Sequence, residues 1–333
     1  LEGDQLVAVP AEIGYSINTE ATLAELQADP MGVLLKGSFQ LQLKPDVPAI
    51  TDVSQVLAEG ERLLSSAHPV RAYDPVTNET LEWAPGRQEL ASWLTVSTRE
   101  DGSPQIGVDP ARATAYLEGL SASLGPDRYL RLDALQGQSS DLLSGGIFLS
   151  IGHSPTTYTV QSGDTLIKIG WKVGIPYWRI LQANPGLDGD ALYAGQVLTV
   201  PSKDDLLPLP VVANKRIVIS ISQQRMWTYQ DGSLRSEYVI STGIDRSPTQ
   251  PGVFQVQTHE LSAYASVWDL TMPHFIGIYE AWPGFMNGIH GLPVSWKTGR
   301  KIWTELIGQP ATFGCAMLGD EDARTLFNLA YIG

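Results

Sequence analysis

The chain has 333 residues, of which 43% are apolar and 17% charged. That is too long for one ordinary core and too apolar for a disordered tail, so two to four domains are expected. Net charge is −14, which argues against nucleic acid or an anionic membrane surface as a partner while leaving a glycan open.

No apolar run approaches the roughly 18–20 residues that a membrane helix needs. The chain starts at Leu1 without a methionine and reads as trimmed, which leaves room for an export signal or a membrane anchor outside it. The single cysteine, Cys315, has no partner for an internal disulfide. It is either a small buried hydrophobe or a nucleophile, and its neighbours decide which.

Residues 1–56 read as an α+β module. Asn18 is a candidate cap for a helix whose Ala21, Leu23, Ala24 and Leu26 face inward. Phe39, Leu41 and Leu43 alternate with glutamines as in a half-buried strand, which Lys44-Pro45-Asp46-Val47-Pro48 ends. Residues 57–140 look like a second α+β module, with Asp109-Pro110 opening a helix that carries Ala113, Tyr116, Leu117 and Leu120. Ile17–Ala21 and Val108–Arg112 are alike in design, a weak internal repeat. Both resemble the peptidoglycan-binding modules found upstream of some L,D-transpeptidases. The Ser-, Gly- and Gln-rich stretch that follows reads as a linker, assigned to 141–156.

From 157 to 201 the pattern is β-α-α-β. Tyr158-Thr159-Val160 is a strand, and Ser162-Gly163-Asp164-Thr165 turns into a helix with Leu166, Ile169 and Val173 inside. Gly174-Ile175-Pro176 breaks it. A second helix carries Trp178, Ile180 and Leu181, and Val197–Val200 is the closing strand. Tyr158, Gly163, Asp164, Thr165, Leu166, Ile169, Gly174, Leu181, Asn184, Gly195, Gln196, Leu198 and Pro201 together resemble a LysM domain. That resemblance implies binding of N-acetylglucosamine polymers between two loops, here Gly163, Asp164 and Thr165 and Pro185, Gly186 and Leu187. Asp164 is equally a candidate helix cap.

After a linker at 202–212, residues 213–333 read as repeated short strands: Ile217–Ile221, Met226–Tyr229, Tyr238–Ser241 and Val253–Val256, with Asp231-Gly232 as a hairpin turn. This predicts a mainly β domain, sandwich or barrel-like. Ile289-His290-Gly291 then precedes Ala311-Thr312-Phe313-Gly314-Cys315-Ala316-Met317. An imidazole near Cys315 could take the thiol proton, and Gly314 would open the approach and let backbone amides meet an oxyanion. The aromatic stretch Trp268–Trp282, with Met272 and Tyr279, is either core or cleft lining. The remaining histidines match no compact zinc spacing, so neither metal nor cofactor is expected.

With Ser241-Thr242-Gly243, Pro248-Thr249, Gly252-Val253-Phe254 and Met272-Pro273, these residues resemble the L,D-transpeptidase catalytic domain. The resemblance implies His290 as base, oriented by the Gly291 carbonyl, with Gly314 beside the nucleophile Cys315. Thr312, Phe313, Met317, Met272 and Tyr279 would then face substrate. Two positions depart from the family pattern: Phe313 replaces a usual His, and Met317 a usual Arg or Asn. The implied partners are peptidoglycan stem peptides and glycan outside the cytoplasm, in the cell envelope, with carbapenem β-lactams as acylating inhibitors. The alternatives are an L,D-carboxypeptidase and a catalytically degenerate wall-binding protein.

Overall fold

The computed structural model describes residues 5–9, 11–50, 52–133, 145–212 and 214–333. The chain divides into two compact units. One comprises Leu1–Arg71, Glu82–Gly119 and Leu132–Leu149, and the other Ala72–Leu81, Leu120–Arg131 and Ser150–Gly333.

In the first unit, the helix Thr19–Ala28 is capped as expected, with Asn18 Oδ1 accepting from Ala21 N at 3.0 Å. Its expected apolar face is not buried: Thr22 is the buried residue and Leu23 is exposed. The neighbouring strand is Leu43–Asp46 rather than Phe39–Leu43, because its partner Gly14–Ile17 pairs from Ile17↔Leu43 to Gly14↔Asp46. A two-stranded ribbon tolerates Pro45, whose missing N–H can face outward. Asp109 Oδ1 accepts from Ala111 N at 2.9 Å at the start of the helix Pro110–Ser123, which buries Ala113 and Leu117. The firmest apolar face is on Ser54–Ser65, where Val56, Leu63 and Leu64 are buried.

A four-stranded sheet runs in the order Glu79–Trp83, Val70–Asp74, Ile147–His153, Arg128–Leu130. Residues 147–153 were expected to be linker and are instead a core strand, with Ile147, Leu149 and Ile151 buried on one face. Their period-two alternation was hidden by the glycines and serines around them. Residues 141–144 of that expected linker lie outside the described residues. At the strand's end the His153 ring lies between Asp204 Oδ1 (2.9 Å) and Asp74 Oδ1 (3.4 Å), with Arg131 and Arg128 on the two carboxylates.

The β-α-α-β unit forms as read. Thr156–Thr159 pairs antiparallel with Val197–Val200, and the helices Leu166–Val173 and Tyr177–Ala183 lie between them in sequence. Gly174 ends the first helix in the left-handed region, φ 72°, where a side chain would be strained. Val160, Leu166, Ile169, Ile175, Ile180 and Leu198 make the core.

The last domain has two sheets. Lys215–Ser220, Arg225–Gln230 and Ser233–Val239 form an antiparallel meander. Thr258–Ala265, Leu270–Trp282, Phe285–His290 and Ala316–Met317 form the second sheet, its last pair parallel. Met226, Ile240, Ile276, Ile289 and Leu326 of the final helix Asp320–Leu329 share one core. Val253–Val256 is not a strand. Phe254 leaves the sheets, packs against the β-α-α-β core and stacks on Tyr279 at 4.8 Å between ring centroids. Among the described residues, no helix is long and apolar enough to cross a membrane.

Candidate active site

Parallel pairing of Ile289 with Ala316 and His290 with Met317 sets the strand ending in His290 beside the one that Cys315 enters. Extended by one residue, that register puts Cys315 next to Gly288, whose backbone reaches the sulfur. His290 lies two residues along, about 7 Å at strand rise. The ring of Phe275 packs in one cluster with Cys315 and stacks 6.2 Å from the His290 ring.

The turn before Cys315 is held from several sides. Thr312 Oγ1 donates to Cys315 O at 2.6 Å and accepts from Gly314 N at 3.2 Å. Ser247 Oγ donates to Phe313 O at 3.0 Å, and Gly243 N donates to Thr249 Oγ1 at 2.9 Å. Gly314 has φ 117°, and a Cβ there would come 2.4 Å from Asn287 Nδ2. Only glycine fits, for conformation and for space.

His290 is buried, and its Nδ1 lies 2.6 Å from Gly291 O, so that ring nitrogen carries a proton it donates to the carbonyl. Burial lowers its pKa to about 4, against that hydrogen bond. Burial likewise pushes the Cys315 thiol up to about 11, with the Gly288 backbone opposing. Both shifts favour neutral thiol and neutral imidazole over an ion pair. The hydrogen bond of Cys315 Sγ goes to Asn287 Oδ1 at 3.4 Å.

The residues expected to face substrate divide. Met272 packs with Cys315, and half-buried Phe313 stacks on Trp268 at 5.0 Å and 12° and meets Trp303 edge-on. The Arg246 guanidinium stands 5.8 Å over the Phe313 ring. Met272, Tyr279, Thr312 and Met317 are all buried. The Tyr279 hydroxyl donates to Gly314 O and accepts from Gln250 N and Asn287 Nδ2, and burial raises its pKa. It and Thr312 spend their hydrogen bonds inside the protein. His259 and His274 pack on Phe327.

In the β-α-α-β unit, Asp164 is not free for a ligand. Its carboxylate accepts from Lys172 Nζ at 2.6 Å, Tyr158 OH at 2.8 Å and Gln161 N at 2.9 Å. These hold its pKa down to about 2, Lys172 contributing most. Nor does it cap the helix; Thr165 Oγ1 does, accepting from Lys168 N. Gly163 (φ 80°) and Gly186 (φ 83°) are exposed with open space where a Cβ would be, Pro185 is exposed, and Leu187 packs on the core.

Asn287, Arg246 and Ser247 hold or border the Cys315 turn and were not singled out from the sequence. Asn287 was visible as a polar residue in the apolar run before His290.

Residues 158–201 match the family model of the LysM domain, and residues 214–333 that of the L,D-transpeptidase catalytic domain. The Escherichia coli protein named "Probable L,D-transpeptidase ErfK/SrfK" is 26% identical over 176 residues, 46% of this chain and 53% of that protein. The Bacillus subtilis protein YkuD, also named for L,D-transpeptidase activity, is 27% identical over 179 residues, 52% of this chain and 92% of its own. The chain thus spans about half the length of the first relative and nearly all of the second. A crystal structure of an Enterococcus faecium L,D-transpeptidase mutant shares 18% identity at a TM-score of 0.37, covering 84% of this chain and 97% of that one.

Proposed function

Residues 214–333 being an L,D-transpeptidase catalytic domain and residues 158–201 a LysM domain, we propose that Cys315 forms an acyl-enzyme with a peptidoglycan stem peptide and passes it to an acceptor amine. The observation that carries this reading is the only thiol of the chain, placed directly after a turn that only glycine can make and one strand away from a buried neutral imidazole. His290, held by the Gly291 carbonyl, accepts the thiol proton as sulfur attacks the carbonyl carbon of the L,D-bond. Because the thiol is raised and the imidazole lowered, proton transfer accompanies attack rather than preceding it. The tetrahedral adduct then collapses, the C–N bond breaks, and the terminal D-alanine leaves with the proton from His290. Attack by the acceptor amine on the thioester carbonyl frees Cys315. With water in place of the amine the same intermediate gives an L,D-carboxypeptidase.

Arg246, exposed and without a carboxylate partner among the described residues, offers the stem peptide's carboxylate a cation near Phe313. The exposed LysM loops around Gly163 and around Pro185 and Gly186 hold the glycan, which raises local substrate concentration without altering the site. The work is done in the cell envelope, where this polymer lies.

One observation favours a second reading, a wall-binding protein without turnover: the thiol is bonded to Asn287 and not to the imidazole. A carbapenem, a strained acyl donor for such a thiol, separates the two. Intact-protein mass spectrometry should show a stable one-to-one adduct that Cys315→Ala abolishes. No adduct after hours at millimolar carbapenem would leave only the binding role.

A further inference from the structure

Asn287 is 3% exposed and bridges two buried groups. Its Nδ2 lies 3.0 Å from Tyr279 Oη and its Oδ1 lies 3.4 Å from Cys315 Sγ. The direction of this chain of hydrogen bonds is fixed at its far end. The Gly314 carbonyl can only accept, and it lies 3.0 Å from Tyr279 Oη. The single phenolic hydrogen therefore goes to Gly314. Tyr279 must then accept from both Gln250 N and the Asn287 amide. That turns Asn287 with its NH2 toward Tyr279 and its oxygen toward the sulfur. A carbonyl oxygen facing sulfur is met favourably by S–H and unfavourably by a thiolate.

We propose that Asn287 is a positioning residue that parks the Cys315 thiol in its protonated form, its amide held in that sense by Tyr279. This rests on Cys315 being the nucleophile of the proposed reaction. To attack, the thiol must leave Asn287 and turn its hydrogen to His290, so Asn287 sets the resting state from which each cycle starts. Cys315 shares a hydrophobic cluster with Ala265, Met272 and Phe275, against which Ala263, Trp268 and Met286 pack. The titratable groups linked to it are Tyr279, through Asn287, and His290 on the neighbouring strand.

The test is the pH dependence of Cys315 alkylation by iodoacetamide in the intact chain, followed by mass. With one cysteine in the sequence, every adduct reports this thiol. Tyr279→Phe frees the amide to turn its NH2 toward sulfur and should lower the midpoint. A midpoint one pH unit lower makes alkylation at pH 8 about tenfold faster. Asn287→Asp presents a carboxylate to the sulfur and should raise the midpoint and slow alkylation. Shifts of opposite sign are the expected result. General loosening would expose the thiol in both variants and speed both, and that outcome, or two unmoved midpoints, would overturn the proposal. The carbapenem adduct is read on the same samples. Opposite shifts without any adduct would leave the parking arrangement standing while the transpeptidase reading falls.

Discussion

The LysM loops and the turn before Cys315 both depend on glycines in the left-handed half of backbone space, yet they use them in opposite ways. At Gly163 and Gly186 an added Cβ would meet nothing within 4 Å, so glycine there shapes the backbone and leaves the surroundings open. At Gly314 an added Cβ would strike Asn287 and break the chain of hydrogen bonds that ends on Cys315. A surface that recognises a polymer tolerates looseness, because its partner supplies the missing contacts. A site that must hold one sulfur in one orientation spends the hydrogen bonds of Thr312, Tyr279 and Asn287 inside the protein.

The largest effect should come from Gly314→Ala. Strain at positive φ and the clash with Asn287 together cost about 2–5 kcal/mol, and hydrogen exchange should show it in amides of residues 214–333 but not of 158–201. Equal loosening of both domains would break the contrast. Acid comes next. The folded pKa of His290, about 4, lies below the ordinary value of ~6.5. Its stabilising contribution is complete above the ordinary value and is lost as pH falls toward 4, up to about 3 kcal/mol. His290→Asn should flatten that part of the stability profile, read as the pH dependence of exchange in the same domain.

Asp164→Asn should have a smaller effect, confined to the LysM domain, since the amide keeps hydrogen-bonding capacity but loses the charge facing Lys172. With a folded pKa near 2, the Asp164 contribution is present above the usual carboxylate range and lost only as pH falls through about 2. Smallest of all, Gly186→Ala should cost about 1 kcal/mol of backbone strain and leave carbapenem acylation unchanged. A drop in acylation rate would show that the two regions are energetically joined, with Phe254, packed on the LysM core and stacked on Tyr279, as the contact to examine.

What the sequence made legible follows the same division. The LysM strands and helices and the Asp231-Gly232 hairpin lie in short local patterns, and local patterns can be read from one chain. The engagement of Asp164 was not legible, because Lys172 reaches it only once the first helix has formed. Asn287 and Tyr279 were hidden for a stronger reason. Their roles depend on strands that bring positions 287 and 315, or 279 and 314, together. Tyr279, expected to meet substrate, is buried instead and fixes the direction of the hydrogen bonds beneath Cys315. The strand Ile147–His153 was missed because its alternation sits in linker-like composition.

The claim that Cys315 carries the acyl group is tested most directly by one turnover on a disaccharide-tetrapeptide, quenched in acid and analysed by peptide mass. The expected result is a thioester on the Cys315 peptide equal in mass to the stem without its terminal D-alanine, with one D-alanine released per adduct and neither formed by Cys315→Ala. Release of D-alanine by Cys315→Ala at the wild-type rate would contradict it.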